Sequence, residues 1–273
     1  MKKEYIIILS IIIVSLLAFF IFIPAFGGKL QISPLINLGF FQIRWYGLIM
    51  ALAVLVGYFF ARKNSWRFGI SQDAIDDYVF WLVIVGVIGA RIYYVLFSYN
   101  YYLGDLLEVF KIWRGGLSIY GGILSGLAFT FFYTRNKAYT FYQMFDLIAI
   151  SLPLSQAVGR FGNFFNQEAY GTITNLPWKM YVSVDHQFHH PAFLYEAILD
   201  LAVFVILYKM LGKVKSGILG FLYLLLYSLG RFFVESIRLD SFIISGFRVD
   251  QVVAFLLIVI SGLIILSKQR QTS

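Results

Sequence analysis

The chain has no cysteine in its 273 residues. That excludes disulfides, a thiolate nucleophile and a thiolate metal site, so any thiol chemistry must use a thiol brought by a substrate. Charge is scarce too: 13% of residues are charged while 60% are apolar, and the mean hydropathy is positive. A soluble domain does not have that balance. A membrane span needs about 20 apolar residues, so the length holds roughly seven or eight spans and no large soluble domain. Absent as well are a Ser-His-Asp arrangement, a P-loop and a zinc-protease helix. The net charge of +8 invites a nucleic-acid reading, but the 22 lysines and arginines are scattered among short loops. That pattern sets membrane topology and suits anionic headgroups; the expected partner is the lipid bilayer, and nucleic acid is not expected.

What is present is a succession of apolar runs. Ile6 to Ile23 follows Lys2 and Lys3 and reads as a signal segment or a retained helix; its length, long for a signal h-region, favours retention. The chain thus divides into an N-terminal hydrophobic segment, 1–28, and a membrane domain, 29–273. Further spans are expected over Trp45 to Ala61, Tyr78 to Phe97, from the Gly121-Gly122 pair to Arg135, Gln143 to Val158, from Pro191 to Lys209, Gly217 to Ile237, and Val252 to Leu266. The fold class is therefore all-α and polytopic, a seven-helix core plus one extra N-terminal helix. Lys2, Lys3, Arg62, Lys63, Arg67, Arg135, Lys137, Lys209, Lys213, Lys215, Lys268 and Arg270 fall in alternate loops, twelve of the 22 basic residues. The positive-inside bias puts those loops in the cytoplasm. Gly122 and Gly126 are spaced for close helix approach, and the tyrosine-rich stretch Ser98 to Gly115 reads as an outer loop skimming the interface. His186, His189 and His190 cluster, but no further ligand group stands at a recognised zinc spacing.

Several charged residues lie at membrane depth, where they are costly and usually mark a site. Arg91 is expected to snorkel or to form an internal ion pair. Arg160 lies in the stretch Gly159-Arg160-Phe161-Gly162-Asn163-Phe164-Phe165-Asn166-Gln167-Glu168-Ala169-Tyr170-Gly171, which reads either as a tight turn with Arg160 paired to Glu168 or as part of a site. Glu196 and Asp200, four apart, share a helix face and should look into the bundle. Tyr227, Arg231, Glu235 and Arg238, at offsets of 4, 4 and 3, form one stripe. Arginine forks suit phosphate, and two in a low-dielectric cavity could hold an anionic headgroup and stabilise a departing phosphate. Glu168 and Glu235 could orient them, or one of the two could take a proton if burial raises its pKa, and Tyr46, Tyr120 and Tyr227 can donate hydrogen bonds. The topology places this cavity toward the outer half of the membrane.

Taken together the motifs resemble the prolipoprotein diacylglyceryl transferase family. The pieces are Arg44-Trp45-Tyr46-Gly47-Leu48, Gly89-Ala90-Arg91-Ile92-Tyr93-Tyr94, the run Gly115 to Gly122, the stretch Gly159 to Gly171, His190-Pro191 with Leu194-Tyr195-Glu196, and Gly230 to Glu235 with Arg238. The resemblance implies transfer of a diacylglyceryl group from phosphatidylglycerol to the lipobox cysteine of a prolipoprotein at the bacterial plasma membrane, with no cofactor and by a monomer. It places catalytic roles on Arg160, Arg231, Tyr120 and Glu168, and substrate binding on Tyr46, Asn163, Gly171, Tyr227, Glu235 and Arg238. Some members have a histidine where this chain has Tyr120, which leaves Tyr120 and Glu168 as alternative bases. A lipid transporter or scramblase would also place arginines in a membrane cavity, but no half-to-half repeat is visible. A transferase using the same lipid with another acceptor is the nearer alternative.

Overall fold

The computed structural model describes residues 18–31 and 33–270. It is mostly helical. A π-helical turn, Ala18–Phe22, runs into a short α1 (Ile23–Phe26), and seven long helices follow: α2 (Trp45–Asn64), α3 (Gln72–Phe97), α4 (Ile119–Thr134), α5 (Phe141–Asn166), α6 (Ala192–Met210), α7 (Ile218–Glu235) and α8 (Val249–Arg270). Among the described residues four segments are long and apolar enough to cross a membrane: Trp45–Phe68, Gln72–Phe97, Ile218–Glu235 and Val249–Arg270. Among the rest, α4 is apolar but only 16 residues long. α6 carries Glu196, Asp200 and Lys209, and Asp146, Pro153, Arg160 and Asn163 dilute α5. Most of the expected N-terminal span, residues 6–17, lies outside the described residues.

The chain forms two compact units: the described parts of Met1–Val56, Pro153–Leu207 and Phe221–Ser273 make the first, and Gly57–Leu152 with Tyr208–Gly220 the second. The first has a core of Ala25, Phe164, Met180, Val182 and Phe193, against which Phe22, Phe26, Phe161 and Phe165 pack. The Phe22 ring stands 5.7 Å from Phe161, and Phe26 stands 6.2 Å from Phe193, both edge-on. The end of the N-terminal segment is thus joined by aromatic contacts to α5 and α6. The first unit also holds three two-stranded hairpins that an all-α reading omits: β1 (Leu35–Asn37) with β2 (Gln42–Arg44), β3 (Met180–Val182) with β4 (Gln187–His189), and β5 (Ile243–Ile244) with β6 (Phe247–Arg248). The last closes through Ser245 and Gly246, both with positive φ, the two-residue turn that matches strand twist.

In the second unit α3 packs along α4. The close approach falls at Gly89 and Gly121 rather than at Gly122 and Gly126: a Cβ on Gly121 would sit 2.9 Å from Ala90 Cα, whereas one on Gly122 would meet nothing nearer than Gly86 O at 3.6 Å. Arg91 does not snorkel and, among the described residues, pairs with no carboxylate. Buried, it donates to the carbonyls of Glu108, Val109, Gly115 and Gly116 at 2.6–2.8 Å and lies over the Tyr102 ring. One guanidinium with five donors thereby fixes the course of the 98–116 loop. The Asp146 carboxylate accepts from the N–H groups of Gly217 and Gly220 at 2.6 and 2.8 Å, capping the start of α7.

Candidate active site

The stretch Gly159 to Gly171 is a helix end before it is a turn. Its first eight residues continue α5, and the chain turns only at Gln167 and Ala169, both with positive φ. The helical glycines serve close packing: a Cβ on Gly162 would sit 3.0 Å from the Tyr46 ring, and one on Gly159 would sit 3.4 Å from Met50 Sδ. Tyr46, in the first turn of α2, thus lies against α5 close to Arg160. Gly171 presents nothing outward. Its N–H donates to His190 O at 2.9 Å, it bridges to Arg238, and a Cβ there would meet His190 Cβ at 2.8 Å. Its backbone seals a junction between three segments.

The pairing of Arg160 with Glu168 does not form. Glu168 is exposed and accepts from Asn163 Nδ2 at 3.0 Å. Arg160 turns to α6, its Nη1 3.1 Å from Glu196 Oε2 and its Nε 3.6 Å from Asp200 Oδ2, while Nη2 donates to Tyr227 Oη at 3.2 Å. From α7, Arg231 reaches the same carboxylate through Glu196 Oε1, and its Nη2 is 2.7 Å from both Glu235 Oε2 and Asp250 Oδ2. The expected stripe is broken at its last member: α7 ends at Glu235, and Arg238 lies beyond it. Arg238 nevertheless folds back to within 3.4 Å of both Glu196 oxygens and clamps Asp240 with two bonds of 2.9 and 2.6 Å. Burial pushes the Asp240 carboxyl up, but the bonds from Arg238 outweigh it and hold the group below its ordinary range. Arg248 donates to the carbonyls of Glu235 and Arg238, tying β6 to the cluster.

Glu196 is therefore the hub, 4% exposed and shared by three arginines. The sequence located Glu196 and Asp200 on one helix face without giving them a role. Asp250, Gln156 and Tyr223 were missed. Tyr223 stacks on Tyr227 at 5.6 Å and donates to Gln156 Oε1 at 3.0 Å, so it braces the tyrosine that contacts Arg160. A membrane-depth glutamine was the available signal for that pair. Between α6 and α7 lies a small, partly open cavity. Arg160, Glu196, Asp200, Tyr227 and Arg231 line its polar part, and Leu199, Val203 and Leu226 its apolar part. Tyr120 stands in the first turn of α4, in the second unit, after the positive-φ pair Gly115 and Gly116.

The histidines are committed locally. His189, buried, faces Gly171 O through Nδ1 at 2.7 Å and Asp185 Oδ2 through Nε2 at 2.8 Å. His186 Nδ1 meets Tyr181 Oη, and His190 Nδ1 meets Tyr195 Oη. Among the described residues no group of three or more histidines and carboxylates is arranged for a metal ion.

A family model described as prolipoprotein diacylglyceryl transferase matches residues 33–267. The chain belongs to the prolipoprotein diacylglyceryl transferase family. It is 45% identical over 277 residues to a phosphatidylglycerol–prolipoprotein diacylglyceryl transferase of Fervidobacterium nodosum, with 96% of this chain and 95% of that one covered. A Thermotoga maritima protein of the same name is 42% identical, covering 92% and 91%. One from Staphylococcus aureus is 40% identical, covering 82% and 85%. Membership makes the chain a transferase of lipoprotein biosynthesis and a multi-pass membrane protein. For this transferase the arginine cluster between α6 and α7 is the candidate active site.

Proposed function

We propose that the protein transfers the diacylglyceryl group of phosphatidylglycerol to the lipobox cysteine thiol of prolipoproteins. The observation that carries the assignment to this site is the cavity between α6 and α7. It joins Arg160, Arg231 and Tyr227 to an apolar wall of Leu199, Val203 and Leu226, the two surfaces that a phospholipid's headgroup and glyceryl chain require. In the reaction the thiol sulfur attacks the glyceryl carbon next to the phosphate. The C–S thioether bond forms, the C–O bond to phosphate breaks, glycerol phosphate leaves, and the thiol proton passes to a base. The acceptor supplies the sulfur, in keeping with a chain that has none as thiol. Arg160 and Arg231 bind the phosphate and stabilise the charge that grows on it as it departs. Tyr227 orients Arg160, and Glu235 and Arg238 hold Arg231 and Glu196 in place.

Glu168 is the better candidate base. It is an exposed carboxylate oriented by Asn163, whereas a phenol such as Tyr120, with an ordinary pKa of about 10, is a poor base at neutral pH. Tyr46, packed on Gly162, lines the same end of α5. The full architecture we propose is a seven-helix core, α2 to α8, with the cavity open to the outer leaflet of the plasma membrane. The described end of the N-terminal segment packs into the same core through Phe22 and Phe26. The protein works as a monomer, with phosphatidylglycerol and lipobox peptides as its partners and no nucleic acid.

The test is transfer of labelled diacylglyceryl from phosphatidylglycerol to a cysteine lipobox peptide and to its serine counterpart, by the purified chain. Transfer to cysteine alone supports the function; lipid binding without transfer would sink it. Arg160→Ala and Arg231→Ala should each lower kcat/KM by at least about a hundredfold, the scale of a lost transition-state donor. Glu168→Gln should lose more than Tyr120→Phe, and the reverse order would move the base to Tyr120.

A further inference from the structure

The arginines of this site are not free cations. Arg231 is met by three carboxylates, Glu196, Glu235 and Asp250. Across the cluster the three arginines Arg160, Arg231 and Arg238 lie against five carboxyl groups, Glu196, Asp200, Glu235, Asp240 and Asp250, so carboxyl groups outnumber the arginines they pair with. Buried ion pairs are normally balanced, because an uncompensated charge in a low dielectric is expensive. A phosphate site with surplus carboxylates cannot be a general anion trap. It must weigh anions by their charge.

Phosphatidylglycerol is a phosphodiester with one negative charge. A phosphate monoester has a second pKa near 6 and approaches two charges at neutral pH. Glycerol phosphate, the departing product, is such a monoester: when the C–O bond breaks, a monoanionic diester and a neutral thiol become a thioether, a dianion and a proton. We infer that Asp250 sets this charge discrimination, disfavouring dianionic phosphomonoesters and driving the glycerol phosphate product out. Asp250 suits that role better than the other two. It comes from the first turn of α8 rather than from α6 or α7, and its side chain is 34% exposed against 4% for Glu196 and 1% for Glu235. It therefore stands at the edge of the cluster, where an incoming or outgoing phosphate passes, and its removal leaves Arg231 held by the two buried glutamates. The inference rests on the reading that this cluster holds the lipid phosphate.

The experiment is inhibition of the transfer reaction by glycerol phosphate and by a short-chain phosphatidic acid, with the uncharged diacylglycerol as control. For Asp250→Asn the inhibition constants of both monoesters should fall about tenfold, while that of diacylglycerol stays fixed. Asp250→Glu should restore wild-type values. On the unmodified protein, the monoanionic diester glycerophosphoglycerol should inhibit more strongly than glycerol phosphate. Unchanged monoester constants in Asp250→Asn, with or without a lower melting temperature, would make Asp250 only a tie between α8 and α7. A tighter monoester than diester on the unmodified protein would overturn the inference even if the variant fails to fold. Failure of the underlying reading looks different: in Arg231→Ala, the monoester constants and the KM for phosphatidylglycerol would match the unmodified protein.

Discussion

At the residue scale the site depends on a carboxylate rather than on the arginines that chemistry suggests first. Both oxygens of Glu196 are spent, on Arg160, Arg231 and Arg238. Removing one partner of a buried pair costs about 3–5 kcal/mol, because the charge left behind stays buried. Asp200 makes one longer contact, 3.6 Å to Arg160, outside hydrogen-bond range. Glu196→Gln should therefore lower the temperature of thermal inactivation in detergent by more than Asp200→Asn; the opposite order would show that the hub lies elsewhere. Gly171→Ala should also lower it, at roughly 1–3 kcal/mol for overpacking a closed junction, since its Cβ would meet His190. Much of this was legible. The i,i+4 pair Glu196 and Asp200 announced a polar face, and the arginines announced a site. The partners were not, because Glu196 and Arg231 are 35 residues apart in the chain and only tertiary packing brings them together. Asp250 was missed because the helix begins at Val249, three residues before the expected span Val252 to Leu266, and so takes it into its first turn.

At the element scale two loops are organised by single buried polar residues. Arg91 holds four backbone carbonyls of the 98–116 loop, so Arg91→Lys, which offers three donors from a point instead of a planar fork, should leave α3 and α4 intact and loosen that loop. Limited proteolysis between Tyr99 and Arg114 should speed up in the variant; cleavage at the unmodified rate would mean the loop holds itself. The β3–β4 hairpin is closed by Asp185 on His189. Burial raises the Asp185 carboxyl, but the bond to His189, together with the backbone N–H groups of the turn, outweighs it and holds the group below its ordinary range. A carboxyl depressed in the folded state contributes stability above its unfolded pKa, about 3.9, and loses it as pH falls through the folded value. Amide protection across Met180–His189 should hold down to about pH 4 and decline below it, and Asp185→Asn should remove that step. The hairpins were illegible for a physical reason: strands of two or three residues are too short to show an alternating pattern. Four of the long helices were legible because they keep an apolar run of span length, and α4, α5 and α6 because shorter or diluted apolar runs still separate the charged loops.

At the scale of the whole molecule the absence of cysteine is itself an experimental handle. Any single substitution to cysteine is the sole thiol in the chain, so its labelling reports one position without background. The proposed orientation rests on the asymmetry of lysine and arginine among the loops, which is a statement about insertion and not about packing. It requires the loop holding Asp105 to face outward and the loop holding Lys137, which follows α4, to face the cytoplasm. Both residues are exposed, so a label can reach them once it is on the correct side. In intact cells a membrane-impermeant maleimide should label Asp105→Cys at once and Lys137→Cys only after permeabilisation. The reverse would invert the topology and, with it, the leaflet from which the Arg160 and Arg231 cluster draws its lipid. Labelling of both positions in intact cells would mean that α4, at 16 residues, does not cross the bilayer, because one full crossing must put the two loops on opposite sides. Lys213→Cys, in the turn between α6 and α7, decides the second half of the chain in the same way, since the positive-inside assignment puts it with Lys137 and opposite Asp105.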